Sequence, residues 1–122
     1  MPLAEFFIEP FHNALEADEL LLRARFPNLP SESGFAVTET QRRFNGVAIA
    51  GAAAWVSREG ESVGRVRLVA FGLGGCPQLC GDVDRIEGLG LHDVQALRDA
   101  AAASVEGLEP VGDVLALSLI HI

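Results

Sequence analysis

The residue types able to do chemistry are present in this chain, but their spacing seldom gathers them into working sets. The histidines His12, His92 and His121 stand far apart, and none forms the HxxxH pair that puts two imidazoles on one helix face for a metal. Cys76 and Cys80 have three residues between them, unlike the CxxC of zinc and redox sites. No metal site is expected. Ser31, Ser33, Ser57 and Ser62 fall in turn-like segments with no histidine close in sequence, so a nucleophilic triad has no support. Carboxylates are plentiful but sit in turns and strand ends, where solvation accounts for them, and without an enclosed pair no acid–base role follows. No catalytic residue is assigned.

Two segments carry binding chemistry. FGLGGCP, residues 71–77, brings Gly72, Gly74 and Gly75 after a strand-like run. The GxGxxG fingerprint is incomplete, however, and no Lys-Ser/Thr follows. A strand exit that needs unusual backbone angles explains these glycines better than a phosphate loop. Arg42 and Arg43 precede Asn45-Gly46, and paired guanidiniums at a loop can grip a carboxylate, a phosphate or a flavin edge. A pair of solvated surface arginines is the plainer reading of the same residues.

Composition bounds the rest. At 122 residues and 49% hydrophobic content, the chain is expected to fold as one domain. The formal net charge is -8 and every basic residue is Arg, a field that repels a phosphate backbone, so nucleic-acid binding is not expected. The longest apolar run, residues 47–56, is about half of the roughly 20 residues needed to cross a bilayer. Glu5 and Glu9 stand where a secretory leader would be basic and apolar. No membrane contact and a cytoplasmic location are expected, and two cysteines suit a reduced compartment.

The elements that must position these residues follow from periodicity. Residues 47–73 read as an antiparallel hairpin: an Ala-rich arm, the charged turn SREGES, then Val66, Leu68 and Ala70 alternating with Arg65, Arg67 and Val69. The Ala-rich arm could equally be a buried helix, but its length, Gly51 and the partner beyond the turn favour a strand. Its alanines would let a helix lie close, and Trp55 would seal an edge of the core. Residues 35–44 predict another strand from their β-branched content, and Asn45-Gly46 is a turn signal. Leu20, Leu22, Ala24 and Phe26 against Arg23 and Arg25 predict a half-buried strand that Pro27 and Pro30 end. Phe6, Phe7 and Phe11 are expected to anchor the core in an irregular opening segment broken by Pro10. Later the period changes. Residues 79–86 predict a short helix, and residues 92–105 an amphipathic one, with Val94, Leu97, Ala101 and Val105 on one face, Asp93 in its first turn and Gly107 as its stop. The fold class is therefore α+β: a small antiparallel sheet of three to four strands followed by two helices packed on one face.

These residues together resemble the C-terminal domain of the FAD-binding medium subunit of molybdenum hydroxylases, the carbon monoxide dehydrogenase and xanthine dehydrogenase family. Residues 5–27, EFFIEPFHNALEADELLLRARFP, are similar to that family's FF-x-G-x-F/Y-x-T-x-L opening, PDELL run and strand ending in R-x-P. Glu9 replaces the usual Gly and Asn13 the usual Thr. Glu39, Arg42, Arg43 and Ala48 match E-x-x-RR-x-x-x-x-A, and Val63, Val66, Phe71, Gly72, Gly74 and Pro77 follow the next pattern. Glu109, Pro110 and Asp113 resemble a late acidic turn. Asn45-Gly46 stands where the family commonly has Gly-Asp, and Leu79 where an Arg is usual.

The resemblance covers about residues 4–116, so residues 1–116 are expected to be one domain of this kind. Residues 117–122 do not match and read as a tail left by a truncated frame. What the resemblance implies is an accessory domain of a flavoprotein subunit, helping to shape the FAD site and subunit assembly for electron transfer from iron–sulfur clusters to FAD. Its partners would be upstream FAD-binding domains and the iron–sulfur and molybdenum subunits. FAD would belong to the full-length subunit and not be bound by this chain alone, which is not expected to be catalytic by itself. The residues implied near the flavin are Arg42, Arg43, Asn45 and Gly46. A stand-alone α+β protein-interaction module is the alternative.

Overall fold

In the computed structural model, which describes residues 1–9, 12–42, 46, 48–108 and 110, the expected hairpin is the middle of a four-stranded antiparallel sheet of order β3-β4-β5-β6. β3 is Ser33–Gln41, β4 Ala48–Glu59, β5 Ser62–Phe71 and β6 Gln78–Leu79. Before it come a one-turn helix α1 (Leu3–Phe6) and a separate two-stranded ribbon of β1 (Phe7–Glu9) and β2 (His12–Asn13). The Ala-rich arm is thus a strand from Ala48 onward. Beyond its turn lies a partner whose alternation requires a sheet, and that outweighs the helix preference of alanine.

The β4–β5 turn is tight. Glu59 pairs with Ser62, and Gly60 takes φ 61° at the first central position, as a two-residue hairpin loop of the II′ kind requires. At the other end of the sheet Gly51 pairs with Phe71. A Cβ built on Gly51 would come within 2.3 Å of the Phe71 ring and 2.8 Å of the Thr38 carbonyl. The ring therefore fills the space that a side chain at position 51 would need.

Strand parity separates two faces. Val56, Val66 and Ala70 lie on one face; Phe35, Trp55, Arg67 and Phe71 lie on the other. The core is built on the first face, near the tight turn, where Val63, Val66 and Ile86 are buried against Val56, Val83, Leu91, Leu97, Ala100 and Ala101. Trp55 therefore does not seal this core. It sits half-buried on the opposite face, and its indole nitrogen is buried without a hydrogen-bond partner in the described structure.

The helical layer is smaller than expected. One longer helix, α2 (Val94–Ser104), is present. The helix expected over residues 79–86 is replaced by the end of β6 and a 3-10 turn, Val83–Arg85. The physical reason is local: Asp82 adopts left-handed backbone, φ 50°, which interrupts any helix entering from Leu79. α2 begins at Asp93, whose carboxylate accepts the Ala96 backbone N–H at 3.1 Å. Asp93 is thus the N-cap, one position outside the first turn. Its core side is formed by Leu97, Ala100 and Ala101 with buried Ser104, whereas Val94 and Val105 are exposed at 55% and 41%. Gly107 then takes φ 93°, the left-handed conformation that ends helices.

Two further expectations change. Residues 20–26 form no strand, and every residue from 16 to 32 is exposed, Leu22 at 92%. A strand needs a neighbour for its backbone groups, and among the described residues none is paired with it. Phe6 and Phe7 meet edge to face with ring centroids 5.0 Å apart, yet Phe7 is 54% exposed. Phe7 anchors no core within the described residues. Phe11 lies outside them, as do residues 111–122, including the expected tail at 117–122.

Candidate functional site

The loop joining β3 to β4 carries the residues singled out near the flavin. Gln41 pairs with Ala48 across a bulge after Thr40, so Arg42, the next residue after β3, stands at the end of the sheet far from the tight β4–β5 turn. Arg42 stands in a bend directly after β3 and is exposed, and Gly46 is exposed as well. Arg43 and Asn45 lie outside the described residues.

The segment leading from β5 to β6 emerges at the same end, because Phe71 closes β5 opposite Gly51. Gly72 takes φ 78°, and a Cβ there would lie 2.6 Å from the Ile49 carbonyl oxygen. Only glycine lets this chain turn so close to the start of β4. That agrees with the strand-exit reading of FGLGGCP. The Cys76 thiol donates toward the Ile8 and Phe7 carbonyls at 3.3 and 3.5 Å, so the ribbon of β1 and β2 is held against this segment. Arg42 and residues 72–77 therefore lie at one end of the sheet. Sequence reasoning missed the contact with Phe7 and Ile8, for which no spacing signal exists.

Described chemistry at this end is sparse. It comprises the exposed Arg42 guanidinium, the exposed backbone at Gly46, a glycine-rich turn, the Glu39 carboxylate that accepts from the Gln41 amide, and on the β1–β2 ribbon an exposed His12–Glu9 pair at 3.1 Å. Cys80 is buried on β5's outer flank, its backbone N–H donating to the Leu68 carbonyl at 2.9 Å. Burial pushes its thiol above the ordinary value, and the hydrogen bond with the Ala70 backbone offsets this only in part. Such a thiol is inert at neutral pH. Among the described residues no group of three or more His, Cys, Asp or Glu side chains is placed to hold a metal. None of the described helices is long and apolar enough to cross a membrane.

A cavity of about 380 Å³ lies at the opposite end, against Ser33, Val56, Ser57, Arg58 and Leu91. Arg58 is already engaged there by the Gly60 carbonyl at 2.5 Å and Glu61 at 3.1 Å. This cavity and Arg42 are separate features.

With this geometry in hand, the fold can be placed. It is shared with quinoline 2-oxidoreductase from Pseudomonas putida 86, at a TM-score of 0.78 and 27% identity over 90% of this chain and 38% of that one. Carbon monoxide dehydrogenase from Hydrogenophaga pseudoflava shares it at a TM-score of 0.74 and 22% identity, over 91% and 39% of the two chains. In sequence the chain is 34% identical over 115 residues to the alpha subunit of the 6-hydroxypseudooxynicotine dehydrogenase complex of Paenarthrobacter nicotinovorans, 91% of this chain and 38% of that subunit. No family model matches. The resemblance read from the sequence is thereby borne out: this is a domain like that of the flavoprotein subunit of molybdenum hydroxylases. The chain spans less than two fifths of the length of these relatives.

Proposed function

We propose that this chain is an accessory domain of a flavoprotein subunit in a molybdenum hydroxylase-type complex. In this reading it lines one side of the FAD site and supports subunit assembly, without a reaction of its own. The observation that carries it is the placement of Arg42 and of residues 72–77 together at one end of the sheet, on a fold shared with such complexes. The three relatives are named for chemically different substrates, 6-hydroxypseudooxynicotine, quinoline and carbon monoxide. A domain common to all of them is suited to a shared step and not to choosing the substrate.

The residues present fit a one-sided contact with a flavin. Arg42 has an exposed, planar set of N–H donors, suited to the carbonyl oxygens on the polar edge of an isoalloxazine ring, and Arg43, Asn45 and Gly46 belong to the same proposed contact. The described residues do not fit enclosure of the pyrophosphate, which needs a Gly-rich helix start or a P-loop. When bound in the longer subunit, FAD supplies a carrier for electrons arriving from iron–sulfur clusters. The contribution of this chain is orientation of the ring and exclusion of water from one side. Its partners are the FAD-binding domains of the same polypeptide and the iron–sulfur and molybdenum subunits. A cytoplasmic location accords with this assignment.

FAD titrated into the isolated chain tests the division of labour. The expected result is little quenching of flavin fluorescence up to about 100 μM, an affinity weaker than about -5 kcal/mol. Saturable, stoichiometric quenching in the low micromolar range would show that the chain holds FAD without help.

A further inference from the structure

β3 is an edge strand without the usual protection of an edge. It stands first in the order β3-β4-β5-β6, and among the described residues no strand pairs with its outer side. Residues 34–40 are all exposed. The irregularity near its end falls on β4, where Ile49 is the extra residue between Ala48 and Ala50, so β3 itself runs regularly from Ser33 to Gln41. The Arg58 N–H donates to the Glu32 carbonyl at 2.7 Å, and antiparallel pairing alternates from there. The N–H and C=O groups of Phe35, Val37 and Glu39 are therefore directed away from β4. Edges are commonly blunted by Pro, Lys, bulges or a covering element. β3 contains no Pro and no Lys, and Glu39 is its one charged residue.

We infer that this edge pairs with the same edge of a second copy of the chain, in a twofold dimer whose two β3 strands run antiparallel about Val37. That register opposes Ser33 to Gln41, Gly34 to Thr40, Phe35 to Glu39 and Ala36 to Thr38, so the whole strand is used. Residues whose backbone groups are directed outward meet one another, as the ladder requires. One step beyond the strand, Glu32 comes opposite Arg42 of the second copy, twice in the dimer, and both residues are exposed. Opposite charges across a ladder are stabilising, and so are β-branched pairs such as Val37 with its own copy. Phe35 and Val37, 62% and 55% exposed, join their copies in one apolar stripe across the junction. Neighbouring registers do worse. Centring on Glu39 opposes two carboxylates, and centring on Phe35 loses the Glu32–Arg42 pairs and runs Thr40 and Gln41 past the end of the strand. This match in charge and length is what selects a second copy over an unrelated strand. The inference does not rest on the flavoprotein reading. Arg42 is common to both, but the dimer concerns this chain as it stands and the flavin contact concerns the longer subunit.

The test is sedimentation equilibrium of the chain over a series of concentrations, with amide hydrogen exchange on the same samples. The expected result is reversible association to twice 13.0 kDa, with the amides of Phe35, Val37 and Glu39 exchanging at least about tenfold more slowly in the dimer. Glu32→Arg and Arg42→Glu each oppose like charges twice. Each should weaken association at least about fivefold, and the two together should restore it. Val37→Pro removes the central outward N–H, a change that edge strands tolerate, and should abolish the dimer without unpairing β3 from β4, which the melting temperature reports. If that variant does not fold, the charge exchange decides. A chain that stays monomeric at the highest concentration overturns the inference. So does a dimer that ignores the charge exchange while those three amides exchange freely, because it uses another surface. Protection of the same amides at every concentration also overturns it, since a segment of the same chain then covers the edge.

Discussion

Arg42 and the two cysteines show how position decides chemistry in this chain. Arg42 is exposed at the loop end of the sheet, and in a chimera where this chain replaces the matching segment of the Paenarthrobacter nicotinovorans subunit, Arg42→Ala should weaken FAD binding about fivefold, the effect of about 1 kcal/mol from one exposed charge-assisted hydrogen bond. Equal FAD affinity in mutant and parent would remove Arg42 from the contact. Cys76 is half-exposed and Cys80 buried, so a thiol reagent at neutral pH should modify Cys76 and spare Cys80 until the chain is denatured. Because burial raises the Cys80 thiol above 9.0, the folded chain holds that proton more tightly than the unfolded one. Stability is then unaffected below about pH 9 and falls as pH rises beyond it. Urea midpoints at pH 8 and pH 10 should show the fall, and Cys80→Ala should lessen it. Gly51 is a further position of this kind. Gly51→Ala presses on the Phe71 ring and the Thr38 carbonyl, and should cost about 1–3 kcal/mol as overpacking does, read from the denaturation midpoint.

At the scale of elements, the core depends on how α2 and the segment after β6 close over one end of the sheet. Ile86 is buried against Val63 and Val66, so Ile86→Ala should cost about 2–5 kcal/mol. Asp93→Ala removes the N-cap of α2 and should cost about 0.5–2 kcal/mol. Both are measured by urea unfolding, and an Asp93→Ala chain as stable as the parent would deny the cap its role. The hairpin and α2 were legible in the sequence because their periods are long and uninterrupted, and because turn and stop residues such as Gly60 and Gly107 agree with them. The short helix expected over residues 79–86 was not, since the left-handed backbone of Asp82 leaves no trace in hydrophobic spacing. Trp55 was misplaced for another reason. Alternation reveals that a strand has two faces but not which one the helix will cover. Residues 20–26 carry an alternating pattern but form no strand, because alternation says which side chains would share a face and not whether a neighbouring strand is there to pair with. The loop holding Arg42 and Gly46 falls between two strands as expected, whereas Arg43 and Asn45 lie outside the described residues.

At the scale of the whole molecule, few side chains among the described residues are buried for their apolar content. Among the described residues the buried hydrophobics are Val63, Val66, Ala70, Cys80 and Ile86, while Phe7, Leu20, Leu22, Phe26, Phe35 and Leu79 are each more than half exposed. Scattered apolar residues on a surface need no explanation, but several along one segment and one sheet face mark an interaction surface. A domain that completes its packing only within a longer subunit has this distribution. The central claim is that the chain contributes to an FAD site it does not make alone. The most direct measurement is the flavin content of the purified isolated chain beside that of the chimera. The account predicts a colourless isolated chain and a yellow chimera carrying stoichiometric FAD. A folded chimera that stays colourless, or an isolated chain that purifies with FAD, would contradict it.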